Sequence, residues 1–199
     1  DNLGVQVPRE QLVINNGADE EVFFPDKTRK AAIGKELILI SNSWSTNSFK
    51  GFRDIATISD HEGTRVLHIG RWPEGVYRGN VTQLGVMDPS EIASVLRQGD
   101  FFFFPSKNEA CPNVLFEALA CALPAIYLNS GGNPEICGYG KFGIPFEEKV
   151  FRNGQFHQLL SQAREKRDEI RGNIIEDLSR FTFRRCFKEY LTFFESLSV

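Results

Sequence analysis

Two glutamates eight positions apart, Glu109 and Glu117, stand in the stretch from Asp100 to Gly138, DFFFFPSKNEACPNVLFEALACALPAIYLNSGGNPEICG. The apolar run Phe101-Phe102-Phe103-Phe104 ends at Pro105 and delivers the chain to a polar loop, residues 106–113. That loop opens a helix near Pro112 or Asn113. The first N–H groups of a helix lack partners and carry partial positive charge, so this corner suits a phosphate. Glu109 lies just ahead of the helix and Glu117 one turn inside it, on the side near the loop. Carboxylates so placed can each accept hydrogen bonds from sugar hydroxyls: one from a ribose, the other from a hexose, with a diphosphate at the helix end between them. On spacing alone a solvated helix face is the commoner reading of Glu117.

Such a corner needs strands alternating with helices, and the apolar pattern supplies them. Short β-like runs fall at residues 12–14, 36–40, 66–69, 80–84, 101–104 and 125–128. Near-continuous apolar strands such as Glu-Leu-Ile-Leu-Ile at 36–40 are the pattern of buried parallel sheets. Helical stretches fall at 50–59, from Asp88, at 114–121, from Gly154 and around Phe183, Phe187, Tyr190, Leu191 and Phe194. Asp88-Pro89-Ser90-Glu91 has capping-box spacing with proline in the first turn, ahead of an Ile92, Val95 and Leu96 face. Gly131-Gly132-Asn133-Pro134 reads as a turn. The alternation predicts a Rossmann-like three-layer α/β domain with a mostly parallel sheet, spanning 1–199 as one unit. Parallel sheets bind ligands at the carboxyl ends of their strands, beside a topological switch point.

Composition narrows the chemistry. The 199 residues are 41% hydrophobic and 25% charged, an ordinary globular balance that excludes disorder and fibrous repeats. With 23 Lys and Arg against 26 Asp and Glu, the net charge of −3 gives no global field for nucleic acid. No apolar run approaches the roughly 20 residues that a membrane helix needs. Asp1-Asn2-Leu3-Gly4 is not a signal-peptide start, and the first residue is not Met, so a longer parent chain is expected. Cys111, Cys121, Cys137 and Cys186 form no C-x-x-C pair, which argues for reduced thiols in a cytoplasmic protein rather than a zinc site.

The ordered motifs resemble the C-terminal domain of family 4 retaining glycosyltransferases, enzymes of two-domain GT-B architecture. The resemblance rests on Pro105-Ser106, Glu109 and Glu117, Ala118 through Pro124, and Gly131-Gly132-Asn133-Pro134-Glu135. It extends upstream to Val13-Ile14-Asn15-Asn16-Gly17-Ala18-Asp19 and Phe23-Phe24-Pro25, and downstream to a terminal helix over 181–197, so it covers nearly the whole chain. It implies that Glu117 binds the ribose of a nucleotide-sugar donor, that Glu109 binds the transferred sugar, and that N–H groups around Cys111, Pro112, Asn113 and Val114 meet the diphosphate or sugar. Lys50, in Phe49-Lys50-Gly51, matches a family lysine that neutralises the departing diphosphate, electrostatic stabilisation without a metal. Read without the family, Lys50 is an exposed charge at a helix start, an unfavourable place against the helix dipole. The family's Gly-Arg is replaced by residues 41–47, Ser-Asn-Ser-Trp-Ser-Thr-Asn, which leaves Arg53 and Arg71 as candidates for the second cation. In the family's E-G-F-G loop the glycines are replaced by Ala110 and Pro112.

The function so implied is hexosyl transfer with retention, with no cofactor and no metal. The partners are a nucleotide-sugar donor, a glycan or lipid-linked acceptor and an N-terminal acceptor domain absent from this chain; nucleic acid is not among them. The implied location is cytoplasmic, with room for peripheral attachment at the inner face of a membrane. A non-catalytic nucleotide-sugar-binding module and a GT-B-fold nucleotide-sugar epimerase fit the same residues. Elsewhere, His68 reads as a core or strand-end residue rather than a catalytic one, His61 and His157 as surface, and Trp44 equally as a base-stacking or a packing residue. The run from Glu165 to Glu169 reads as a solvated face.

Overall fold

The computed structural model describes residues 13–26 and 34–197. Leu12 of the first expected strand and the Asp1–Gly4 start lie outside them. Six strands form the sheet: β1 (Leu37–Ser43), β2 (Thr64–Gly70), β3 (Thr82–Gly85), β4 (Phe101–Phe104), β5 (Ala125–Leu128) and β6 (Gly143–Phe146). Their order is β3-β2-β1-β4-β5-β6, and every neighbouring pair is parallel. The connecting helices are α1 (Phe52–Ser59), α2 (Pro89–Leu96), α3 (Asn113–Ala120), α4 (Asn133–Ile136), α5 (Lys149–Arg152), the long α6 (Phe156–Glu176) and α7 (Phe183–Ser196).

The chain works outward from β1 through β2 to β3, then returns and works outward the other way from β4. With right-handed crossovers, α1 and α3 fall on opposite faces of the sheet. The reversal opens a crevice between the carboxyl ends of β1 and β4, where parallel sheets take ligands. The four phenylalanines of β4 make that centre rigid, since none is more than 2% exposed. Phe102 and Phe104 stack at 5.8 Å, while Phe103 stacks on Phe146 at 5.7 Å. Alternate side chains thus fill both faces, each worth roughly 1.5–3 kcal/mol of burial.

Several expectations are corrected. Val13 and Ile14 form no strand, and Val13 is exposed. The backbone pairing here lies further on, where Ala18 makes an isolated parallel bridge to Thr182. Strand β3 starts two residues later than expected, at Thr82. The helix expected from Lys50 starts at Phe52, because Gly51 takes a left-handed φ of 71° and ends a short 3-10 turn at Ser48–Lys50. A Cβ on Gly51 would lie 2.6 Å from Pro105 Cβ, so this glycine lets the β1–α1 loop pack on the β4–α3 loop. The Gly131–Pro134 turn contains the start of α4. Strand β6 was not foreseen: Pro145 interrupts its pattern, tolerable because β6 is an edge strand. The solvated face at 165–169 holds one exception. Arg167 is buried, and its Nη1 donates to Asp100 Oδ1 at 2.7 Å while Asp100 Oδ2 accepts from Ile38 N–H at 2.9 Å. Burial of this arginine is tolerated because the carboxylate compensates it.

Candidate functional site

The β1–α1 loop reaches the crevice from one side. Asn47 caps the 3-10 turn by accepting from Phe49 N–H, which sets Lys50 at the end of that turn. The β4–α3 loop reaches it from the other side, and Lys107 N–H donates to Phe49 O at 2.8 Å, joining the two. Across this seam Lys50 Nζ pairs with Glu109 Oε1.

Glu109 is held from behind by the turn after β5. Gly132 N–H donates to Glu109 O at 2.8 Å. A Cβ on Gly131 would come within 2.3 Å of Glu109 O, and one on Gly132 within 2.0 Å of Ala110 O, so only the glycine pair permits this approach. Asn133, fully buried, donates through Nδ2 to Ser106 O at 3.0 Å and Leu128 O at 3.1 Å. Asn108 takes a left-handed φ of 55° and donates its N–H to Ser130 Oγ at 3.1 Å. The segment before β1 also reaches the site: Asn16 Nδ2 donates to Asn113 Oδ1 at 2.8 Å, and Asn15 Nδ2 to Glu135 Oε1 at 2.9 Å.

Glu117 lies half-buried in α3, and its carboxylate has no hydrogen-bond partner among the described residues. Burial holds its carboxyl above the usual range, because the charged form loses water and gains nothing in return. At the start of α3 Pro112 is buried and has no N–H to give, and among the described residues no side chain caps the helix. Asn113 and Val114 therefore supply the open N–H groups at this end. Cys111 is half-buried, its Sγ 3.8 Å from Asn15 Oδ1. The four cysteines are unpaired.

The expected site residues are thus only partly assembled. Lys50 and Glu109 meet, while Glu117 and the Asn113–Val114 end lie further along the same loop-helix unit. Arg53 and Arg71 are exposed and share no ion pair with them among the described residues. Arg71 is placed by its backbone, whose N–H donates to Ser43 O at 2.9 Å. Trp44 is 51% exposed and so is not a packing residue. His68 is core: its Nδ1 lies 2.8 Å from Ser41 Oγ and its Nε2 3.1 Å from Arg71 O. His61 and His157 contact each other, Nε2 to Nδ1, at 2.7 Å. Beside the β4–α3 loop, a concavity of about 510 Å³ is lined by Ser130, Glu147, Glu148, Lys149 and Arg152 among others. Neither Lys50 nor Glu109 lines it. Two buried polar atoms at the carboxyl end of the sheet, Asn42 Oδ1 and Asn133 Oδ1, have no partner among the described residues.

Sequence reasoning missed Asn15, Asn16, Asn108, Ser130 and the bridging role of Asn133. All lie in or beside quoted motifs, but nothing in their spacing shows which backbone each one holds.

A six-stranded parallel sheet of this order, with a charged pair across its switch point, defines a Rossmann-like nucleotide-binding type of domain. The family model described as "Glycosyl transferases group 1" matches residues 52–160, and the chain belongs to that family. It is 25% identical over 212 residues to a probable sucrose-phosphate synthase of Thermosipho melanesiensis, covering 94% of this chain and 48% of that protein. HepE of Anabaena in complex with UDP-glucose superposes with a TM-score of 0.72 at 16% identity, over 93% of this chain and 57% of HepE. The C-terminal domain of a glycosyl transferase group 1 family protein, LpcC of Francisella tularensis, superposes with a TM-score of 0.59 at 23% identity, over 81% of this chain and 96% of that domain. The chain spans half or less of the curated relatives it matches. Among the described residues no helix is long and apolar enough to cross a membrane.

Proposed function

We infer that this chain is the donor-binding domain of a retaining hexosyltransferase that works without a metal ion. The observation that carries the reading is the meeting of Lys50 and Glu109 across the β1/β4 crevice. A cation and a carboxylate at a strand-end crevice match the two halves of a nucleotide sugar: Lys50 faces the diphosphate and Glu109 the sugar hydroxyls. Glu117, a half-buried carboxylate with no hydrogen-bond partner among the described residues, is placed to accept from ribose hydroxyls, which would offset its lost hydration. The uncapped start of α3 offers the N–H groups of Asn113 and Val114 to the phosphates.

In transfer, the bond from the anomeric carbon to the phosphate oxygen breaks, and its electron pair stays on the diphosphate. Lys50 stabilises that developing charge. The acceptor hydroxyl makes the new bond on the same face and passes its proton to an oxygen of the departing diphosphate. An N-terminal domain of the same protein would supply the acceptor site, so this chain alone would be inactive. The donor is a nucleoside-diphosphate hexose and the acceptor a glycan or a lipid-linked sugar. Free thiols fit a cytoplasmic location, including the inner face of a membrane. The absent Gly-Arg favours one alternative, a non-catalytic nucleotide-sugar-binding module. Product formation by the protein separates the two.

Calorimetric titration with UDP, GDP and ADP sugars, with and without chelator, tests the reading. Binding of one donor in the presence of chelator is the expected result. Binding of none, or binding only with added Mg²⁺, would overturn it.

A further inference from the structure

Lys50 and Glu109 serve, on the reading above, two different parts of one ligand, yet here each is satisfied by the other. The pair is open to competition, because the two side chains are 24% and 25% exposed. It is also backed by fixed main chain. Lys50 closes a capped 3-10 turn ahead of Gly51, and Glu109 O is bonded by Gly132 N–H inside a glycine cradle. Only the side chains are left to rearrange when a ligand arrives.

Different ligands separate the pair at different cost. A free nucleoside diphosphate offers Lys50 an anion but gives Glu109 nothing. The carboxylate is then unpaired, partly desolvated and close to like charge. A nucleotide sugar offers both partners, phosphate oxygens to the lysine and hydroxyl donors to the carboxylate. The charge on Glu109 therefore works against the product-like ligand and not against the donor.

We propose, resting on the donor-binding reading, that the Lys50–Glu109 pair is the specificity element by which this site distinguishes an intact nucleotide sugar from the free nucleoside diphosphate. Glu109 is the discriminating residue. Re-formation of the pair favours departure of the diphosphate once the sugar has gone.

The test is calorimetric titration of UDP and UDP-glucose, with the GDP and ADP counterparts in parallel, in chelator at fixed salt. The proteins are the wild type, Glu109→Gln, Lys50→Met and the double variant. Glu109→Gln should bind the nucleoside diphosphate about tenfold more tightly, the order of one charge-assisted hydrogen bond. It should bind the sugar nucleotide more weakly, so that the preference narrows or reverses. The gain should shrink in the Lys50→Met background, where no lysine is released. Glu109→Ser provides a second neutral variant, and melting curves check that each protein is folded. Unchanged or weaker diphosphate binding in both neutral variants overturns the inference and leaves donor binding intact. An equal gain with and without Lys50 overturns the role of the pair. If no nucleotide binds the wild type or any variant, the donor reading falls and the inference with it.

Discussion

At the scale of single residues, Glu117 carries a cost that only a ligand removes. Burial raises its carboxyl above the ordinary value of 4.5, so the native state holds the proton more tightly than the unfolded chain does. Stability from the protonated form is complete below the unfolded value and is lost as pH rises through the folded one. Glu117→Gln should therefore melt higher than the wild type at pH 7, and the difference should vanish as pH falls below 4.5. The same variant should weaken nucleotide binding by roughly 1–3 kcal/mol, the scale of a charged hydrogen bond. Melting curves at the two pH values and calorimetry check both signs; a lower melting temperature at pH 7 would contradict the account. Lys50→Ala belongs to the same scale. It removes the cation of the crevice and leaves Glu109 unpaired, so turnover should drop by about 10²–10³, or roughly 2.7–4 kcal/mol. Lys50→Arg should rescue only in part, because a planar fork is not a point charge. Near-normal turnover in Lys50→Ala would shift the role to Arg53 or Arg71. Glu109, Glu117 and Lys50 stand out in the sequence as candidates because they fall in ordered motifs. The pairing of Lys50 with Glu109 was not legible, since the two are 59 positions apart and only the sheet order brings them together.

At the scale of elements, the turn after β5 acts as a template for the β4–α3 loop. A methyl group at position 132 would sit 2.0 Å from Ala110 O, against backbone that cannot yield cheaply. Gly172 lies inside α6, and a Cβ there meets nothing within 4 Å. The same substitution should then have opposite effects. Gly132→Ala should cost about 1–3 kcal/mol and weaken donor binding. Gly172→Ala should stabilise by roughly 0.5–1 kcal/mol and leave the site unchanged. Denaturant titration of both variants reads this directly, and equal effects would count against the template. The strands were legible where apolar runs were unbroken, as in β1 and β4. Gly-Ile-Pro-Phe at β6 escaped because an edge strand does not need Pro145 to donate. The late start of α1 escaped because Gly51 is set by its contact with Pro105, which no local pattern encodes.

At the scale of the whole molecule, α7 presents an exposed apolar stripe. Phe183, Phe187, Tyr190, Leu191 and Phe194 recur at helical spacing, and each is at least 43% exposed. The spacing that marked this stretch as a helix marks a stripe made to be buried. An apolar patch of this kind on a globular domain is a docking surface or an association hazard. The chain spans half or less of its curated relatives, and we propose an N-terminal domain as its companion. Prepared alone, the 199-residue chain should bind an apolar fluorescent dye and self-associate with rising concentration. Phe187→Lys with Leu191→Lys should suppress both without lowering the melting temperature, because neither side chain lies in the core. In a protein that carries both domains, dye binding should be low from the start, and the paired lysines should lower turnover while sparing nucleotide affinity. Light scattering, dye fluorescence and donor titration separate these effects. A monomeric chain with no dye signal would mean that α7 folds back on its own domain, and a loss of nucleotide affinity in the double variant would tie that face to the donor site instead.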